Sequence, residues 1–356
     1  MISFRSEAHG VPDWQELRPH ELPAWSHRLV EVREASIRQY PLFYERFRGP
    51  LLRPHYLVLG GRDEPHAFLA MLGVGVPGMW CGVVWDGPVV LDASWDPPSA
   101  LGALRRWALR RAYAFIRFTH LDEGMAGLLA TVGQVERADS FPMAMSYAHE
   151  LYVRIDAEDD VLLSRFQEVA RRDIRKAVKN GCVISRSLRY EDFEALWPIF
   201  EEQSRSKAIR YRRLESYHSF FRESPRETCV RIYWASYQGR PVHVAVVLRD
   251  GTTGHYFIGA MDRQVLGLLP SPSCLLHWEA MKDARNEGCV YYNLGGSSGS
   301  YSIFKTKFRP FEWPAPLPVT WVLHPLLYRA WMSAALPSAD MLKAVAGHLV
   351  RSQSRR

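Results

Sequence analysis

A strand, a helix and a second strand follow one another between His255 and Leu294, and no other stretch restricts the fold as tightly. His255 to Gly259 reads as a strand. Ser273 to Asn286 has helical spacing and closes on Glu287-Gly288, a C-terminal stop. Val290 to Leu294 is apolar enough to be a buried strand. Strands joined through a helix pair in parallel by a right-handed crossover. The chain must therefore build a sheet with a helix laid on one face.

The second strand runs into Gly295-Gly296-Ser297-Ser298-Gly299. Glycine permits backbone angles and close approaches that a Cβ forbids. Serine leaves hydroxyls and N–H groups for a ligand. Lys305, Lys307 and Arg309 then alternate with Phe304, Thr306 and Phe308. A period of two predicts an extended segment with its cations on one face. Such a row beside a polar turn suits phosphate. A solvated edge strand guarded by lysines fits the same pattern.

The remaining elements form a mixed α/β pattern. Trp25 to Phe47 is helical with a break at Pro41, and hairpins follow over 56–74 and 80–92. Ser99 to Tyr113 is a helix and Tyr147 to Ile155 a strand. Asp159 to Lys179 reads as one helix, basic at its end and stopped by Asn180-Gly181. Tyr190 to Arg205 and Tyr211 to Phe221 are further helices, and Cys229 to Leu248 is a hairpin. Two copies of one α/β plan are expected, at 1–150 and 151–318, with a helical extension at 319–356. Trp321 to Leu336 is apolar and aromatic, suited to packing on its own domain or lying on a bilayer surface.

The 356 residues carry a formal charge of +7, a bias towards anionic partners. The five cysteines lack metal-ligand or CxxC spacing, as expected of free thiols in a reducing cytoplasm. The N-terminal stretch has no apolar signal region and no run is long enough to span a bilayer. A monomer in the cytoplasm is expected. His243 and His255 lack a third ligand at sensible spacing, so no metal is expected. No P-loop or G-x-S-x-G elbow is present.

Several segments, in order, resemble the FemXAB family: Arg171-Arg172-Asp173-Ile174-Arg175-Lys176-Ala177 with Asn180-Gly181, Asn293-Leu294-Gly295-Gly296 with Phe304-Lys305-Thr306-Lys307-Phe308, Asp86-Gly87-Pro88-Val89, and Arg213 with Tyr217. The resemblance covers about residues 20–315. It implies two tandem GNAT-like domains, here without the long helical arm of some members. It also implies transfer of an aminoacyl group from aminoacyl-tRNA to an amine, on a peptidoglycan precursor or an antibiotic or aminosugar intermediate, with no resident cofactor. Arg213 and Tyr217 would then hold an anionic group of the acceptor, beside Gly295, Gly296 and Ser297. Two positions depart from the family: Asn293 stands where an acid is usual, and Arg309-Pro310 replaces a glycine.

An aminoacyl ester is already activated, so positioning and electrostatics carry the reaction. Lys305 is the first choice for the terminal phosphates of tRNA or the developing charge. Lys307, Arg309, Arg175, Lys176 and Lys179 extend a cationic track. Asp92 would orient or deprotonate the amine, and Tyr256 would donate to the carbonyl. The rival donor is an acyl-CoA. Arg263-Gln264-Val265-Leu266-Gly267-Leu268-Leu269 matches a pyrophosphate loop at Gln264 and Gly267, but Leu269 removes a needed small residue. A third reading is a non-catalytic module at a membrane surface.

Overall fold

The structure is a computed structural model, and it describes residues 13–333 apart from 77, 94, 122, 138–148, 208–210, 223–228, 263–270, 297–301 and 315–317. The chain forms two compact units. One comprises Met1–Leu17, Arg48–Ser146 and Pro316–Arg356, and the other Arg18–Phe47 and Tyr147–Ala315. The chain thus enters the second unit early, leaves it, and returns.

The first unit's sheet contains β1 (Trp14–Glu16), β2 (Leu52–Gly60), β3 (Pro65–Val76), β4 (Met79–Val84), β5 (Val89–Val90), β6 (Tyr113–Phe118) and β7 (Gln134–Arg137). Hairpins pair β2 with β3 and β3 with β4. The helix Pro97–Leu109 carries the chain from β4 to a parallel β6. It buries Leu101, Leu104, Trp107 and Ala108, one face of a 3.6-residue period.

The second unit repeats this plan. Its strands are β8 (His149–Arg154), β9 (Cys182–Ser187), β10 (Val230–Tyr237), β11 (Arg240–Arg249), β12 (Thr253–Met261), β13 (Tyr291–Gly296) and β14 (Phe311–Pro314). The order is β14-β8-β13-β12-β11-β10-β9. The helix Ser273–Asn286 makes the expected crossover, and β12 and β13 are parallel. This helix and Glu168–Lys179 lie over a core that includes Phe166, Val247, Leu276, Tyr292 and Phe308. In Glu168–Lys179 only Ala170, Ile174 and Ala177 are buried, so the basic residues face outward.

Several expectations change. The 80–92 stretch is not a hairpin, since β5 pairs with β3 and not with β4. Trp25 to Phe47 breaks after Glu31, and Pro41 opens a short helix instead of interrupting one. Asp159 to Lys179 is two helices, Asp159–Arg165 and Glu168–Lys179, because Phe166 turns into the core and Gln167 is extended. Tyr211 to Phe221 is not one helix but a 3-10 turn, Leu214–Tyr217, followed by His218–Arg222. The C-terminal segment does not begin as a helix. β15 (Val319–Val322) lies between β6 and β7 in the first sheet, with Trp321 fully buried, and a helix over 325–333 follows. A strand slot between two open edges leaves N–H and C=O groups to pair, and that outweighs the apolar run's helical pattern.

Candidate acyl-transfer site

The site starts from a parting of strands. β12 and β13 pair only at Thr253–Tyr291, Gly254–Tyr292 and His255–Asn293, and both then continue without pairing. Asp262 N–H bonds to Val242 O of β11. Alternation therefore turns Gly259 and Met261 away from β11, towards the side β13 has left. Their backbone groups are capped by side chains. Tyr211 Oη donates to Gly259 O at 2.8 Å, and Met261 N–H donates to Gln203 Oε1 at 2.9 Å. Gln203 also donates to Tyr211 Oη, so the two caps brace each other.

The turn after β13 brings in Lys305. Gly295 has φ +79°, a conformation that glycine adopts without strain. Lys305 Nζ donates to Gly296 O at 2.7 Å. Burial pulls its ammonium down to about 8, while the Glu150 carboxylate acts to raise it. The segment is not extended, as the alternation had suggested. Ser302–Thr306 is one helical turn, because Phe304 and Phe308 both seek the core and lie four residues apart. Lys307 therefore points elsewhere and pairs with Asp173 at 2.9 Å. Arg309 is exposed with φ +48°, which explains why a glycine suits this position.

Beneath Lys305 runs a continuous polar chain. Asp250 Oδ2 holds His255 Nε2 at 2.9 Å. Asn293 Nδ2 donates to Glu150 Oε2 at 2.8 Å and contacts His255 Nδ1 at 3.4 Å, while Asn293 Oδ1 accepts Gly295 N–H at 2.6 Å. Glu150 is buried, pairs with Arg38 and accepts from Tyr152 Oη at 3.1 Å. An acid at 293 would set two carboxylates against each other, so Asn293 fits a site whose carboxylate comes from β8.

On the opposite face of β12, Tyr256 lies edge-on to His277, with ring centroids 4.7 Å apart. His277 and His243 are buried, and burial holds both imidazoles neutral, His243 down to about 4. His277 Nδ1 meets Tyr292 Oη at 3.1 Å, whereas His243 Nδ1 has no partner among the described residues.

Residues 164–305 match the profile of the acetyltransferase (GNAT) domain. The structure superposes on that of FemX with a TM-score of 0.72 at 15% identity, covering 89% of this chain and 99% of that one. The fold is that of FemX. Residues 164–305 form an acyltransferase domain of the GNAT type. L-PGS from Bacillus licheniformis matches with a TM-score of 0.57 at 13% identity, over 87% of this chain and 93% of that one. A tandem GNAT protein from the clavulanic acid pathway matches with a TM-score of 0.52 at 14% identity, over 88% and 99%. No curated protein matches the sequence.

On this FemX-like frame, Lys305, Gly295, Gly296 and Tyr256 are gathered around the parting strands, and Ser297 and the 263–269 loop lie outside the described residues. Arg175, Lys176 and Lys179 are exposed on the helix tied to Lys307 through Asp173. Arg213 and Tyr217 do not share a face. Arg213 precedes the 3-10 turn and is exposed, while Tyr217 is buried and accepts Arg212 N–H at 3.3 Å. Asp92 belongs to the first unit, half-exposed and 3.8 Å from His66 Nδ1. Glu150, Gln203, Tyr211 and Arg46 were missed by sequence reasoning, since each acquires its place through residues at least 8 positions away or on another strand. Among the described residues no three His, Cys, Asp or Glu side chains are set to hold a metal, and no helix is long and apolar enough to cross a membrane.

Proposed function

We propose that the chain is an aminoacyl-tRNA-dependent aminoacyltransferase that forms an amide between a tRNA-borne amino acid and an amine acceptor. The capped edge of β12 carries this reading. A donor arm with amide groups, such as the thiol arm of CoA, enters between parting strands by pairing with an exposed edge. Gly259 O and Met261 N–H, the groups such an arm would use, are already taken by Tyr211 and Gln203. An ester on a terminal ribose needs no such pairing.

In this reading Lys305 faces the ester. The amine's lone pair attacks the ester carbonyl, and the tetrahedral oxyanion forms beside the ammonium. Collapse expels the ribose oxygen, which takes a proton, and the amine nitrogen gives one up. Arg175, Lys176, Lys179 and Arg309 supply exposed charge for the tRNA backbone, and Lys307 holds the helix of the first three through Asp173. The exposed Arg213 marks the acceptor side. The acceptor is a peptidoglycan precursor or an antibiotic or aminosugar intermediate.

An acyl-CoA donor is the second reading, favoured by the acetyltransferase description of the matched profile. Transfer is assayed with a pool of charged tRNAs and with a panel of CoA thioesters, each with and without RNase. Product that depends on charged tRNA and vanishes with RNase is expected. RNase-resistant transfer from a thioester would overturn the tRNA reading and establish the second.

A further inference from the structure

Tyr152 of β8, Tyr291 of β13, and Phe311 and Trp313 of β14 form one aromatic cluster, every pair of ring centroids lying 5.7 to 6.4 Å apart. Side chains alternate across a strand. Leu151, Val153 and Tyr292 turn into the core beneath Ser273–Asn286, so the cluster stands on the other face of the sheet. There it meets water: Trp313 is 50% exposed and Phe311 40%, and the two tyrosines are half-buried. Large rings exposed side by side mark a contact surface. The backbone of β14 is a poor target for a partner strand. This edge strand starts after Pro310 and ends in Pro314, and proline offers no N–H to pair. The ring faces remain.

The polar side chains on this face are engaged. Tyr152 Oη and Asn293 Nδ2 both bond to Glu150, and Arg154 pairs with Asp156 at 2.7 Å. A sugar ring needs partners for its hydroxyls, whereas a nucleobase stacks on a π-face alone. The cluster also adjoins the transfer site. Gly296, whose carbonyl holds Lys305, and Trp313 are both register partners of Glu150, on opposite sides of β8. Two strand spacings separate them, about 10 Å. Three stacked bases at about 3.4 Å each cover that distance. We propose that Tyr152, Tyr291, Phe311 and Trp313 form a stacking platform for the unpaired bases at the 3′ end of the donor RNA. The platform rests on the aminoacyl-tRNA reading of the site and names the part of the RNA that is gripped. Stacking tolerates any base, so the platform sets the reach of the ester and not the sequence read. The exposed Arg309, two residues before Phe311, is placed for an adjoining phosphate.

Binding of the full chain is measured with uncharged tRNA, either intact or lacking its unpaired 3′ nucleotides, at constant ionic strength and with no acceptor. Wild type is expected to bind the intact RNA roughly fivefold or more tightly than the shortened one. A 2-aminopurine at the terminal position should be quenched on binding. Trp313→Leu, at a half-exposed position, should melt as wild type does, lose most of that preference and leave the probe bright, because leucine keeps apolar area but has no π-face. If Trp313→Leu does not fold, Phe311→Leu is read in the same way. Equal binding of the two RNAs by wild type, a leucine variant that keeps the preference, or an N-acetylglucosamine oligosaccharide that displaces the RNA end would each overturn the platform. No ester is present in this measurement. Equal binding alongside RNase-sensitive transfer removes the platform alone, whereas RNase-resistant transfer from a thioester removes the donor reading.

Discussion

Replacing Glu150 by Gln removes the carboxylate that, among the described residues, acts to keep Lys305 charged. Glu150 and Gly296 are register partners, and Lys305 Nζ sits 2.7 Å from Gly296 O. An opposite charge that acts on an ionisable group lies within roughly 4–6 Å of it, and about 6 Å gives the smaller effect. At an effective dielectric constant of about 40, between surface and bulk values, that is about 1.4 kcal/mol, or about one pH unit. The other groups around Lys305 cannot compensate. His277 is buried and neutral, Tyr256 and Tyr152 are uncharged, Arg38 repels, His255 is held by Asp250, and Asp173 is engaged by Lys307. Lys305 titrates near 8 in the wild type, so Glu150→Gln should bring it to about 7. At pH 7.5 its charged fraction falls from about three-quarters to about one-quarter. Selectively labelled lysine, followed by NMR and assigned with Lys305→Arg, reads the midpoint directly. The pH profile of transfer should shift down by the same amount. The double variant Glu150→Gln with Asn293→Asp returns a carboxylate to the spot and should move the midpoint back towards 8. A midpoint unchanged in Glu150→Gln, or unrestored in the double variant, would refute the reasoning.

Three further outcomes follow from the same geometry. Lys305→Met should abolish transfer without lowering stability at pH 7. The lysine's folded pKa is depressed below 10.5, so the unfolded chain binds more protons between about 8 and 10.5, and wild-type stability should rise with pH across that window while the variant's does not. His243 is neutral when folded and its pKa is depressed to about 4, so stability should fall as pH drops from about 6.5 towards 4, by up to about 3 kcal/mol. His243→Leu, which removes a buried nitrogen without a partner among the described residues, should flatten that fall in urea titrations; an unaltered acid limb would contradict it. Arg309→Gly should raise the urea midpoint by the equivalent of about 1 kcal/mol, because φ +48° strains a residue with a Cβ, and a fall would show that the arginine side chain contributes more than the backbone loses.

The amino-acid order by itself determined the doubled α/β plan, the parallel crossover around Ser273–Asn286 and the glycine turn after β13. These are local matters: helical or alternating spacing, a glycine stop, a strand running into a turn. Even the acyltransferase reading of the second unit rested on short contiguous motifs. Tertiary structure decided what those motifs could touch. Alternation predicted a straight row of cations, but the pull of Phe304 and Phe308 into one core wound it into a helix and sent Lys307 to Asp173. Asn293 looked like a lost acid until β8 laid Glu150 against it. Trp321 suited either its own domain or a bilayer surface until it filled a strand slot between β6 and β7. Arg46 carried no sequence signal at all, because the rings that cage it are drawn from three separate segments. Spacing along a chain encodes which face a residue shows to its own element. Which group waits on the other side depends on register and packing between elements distant in sequence, and only the folded chain sets those.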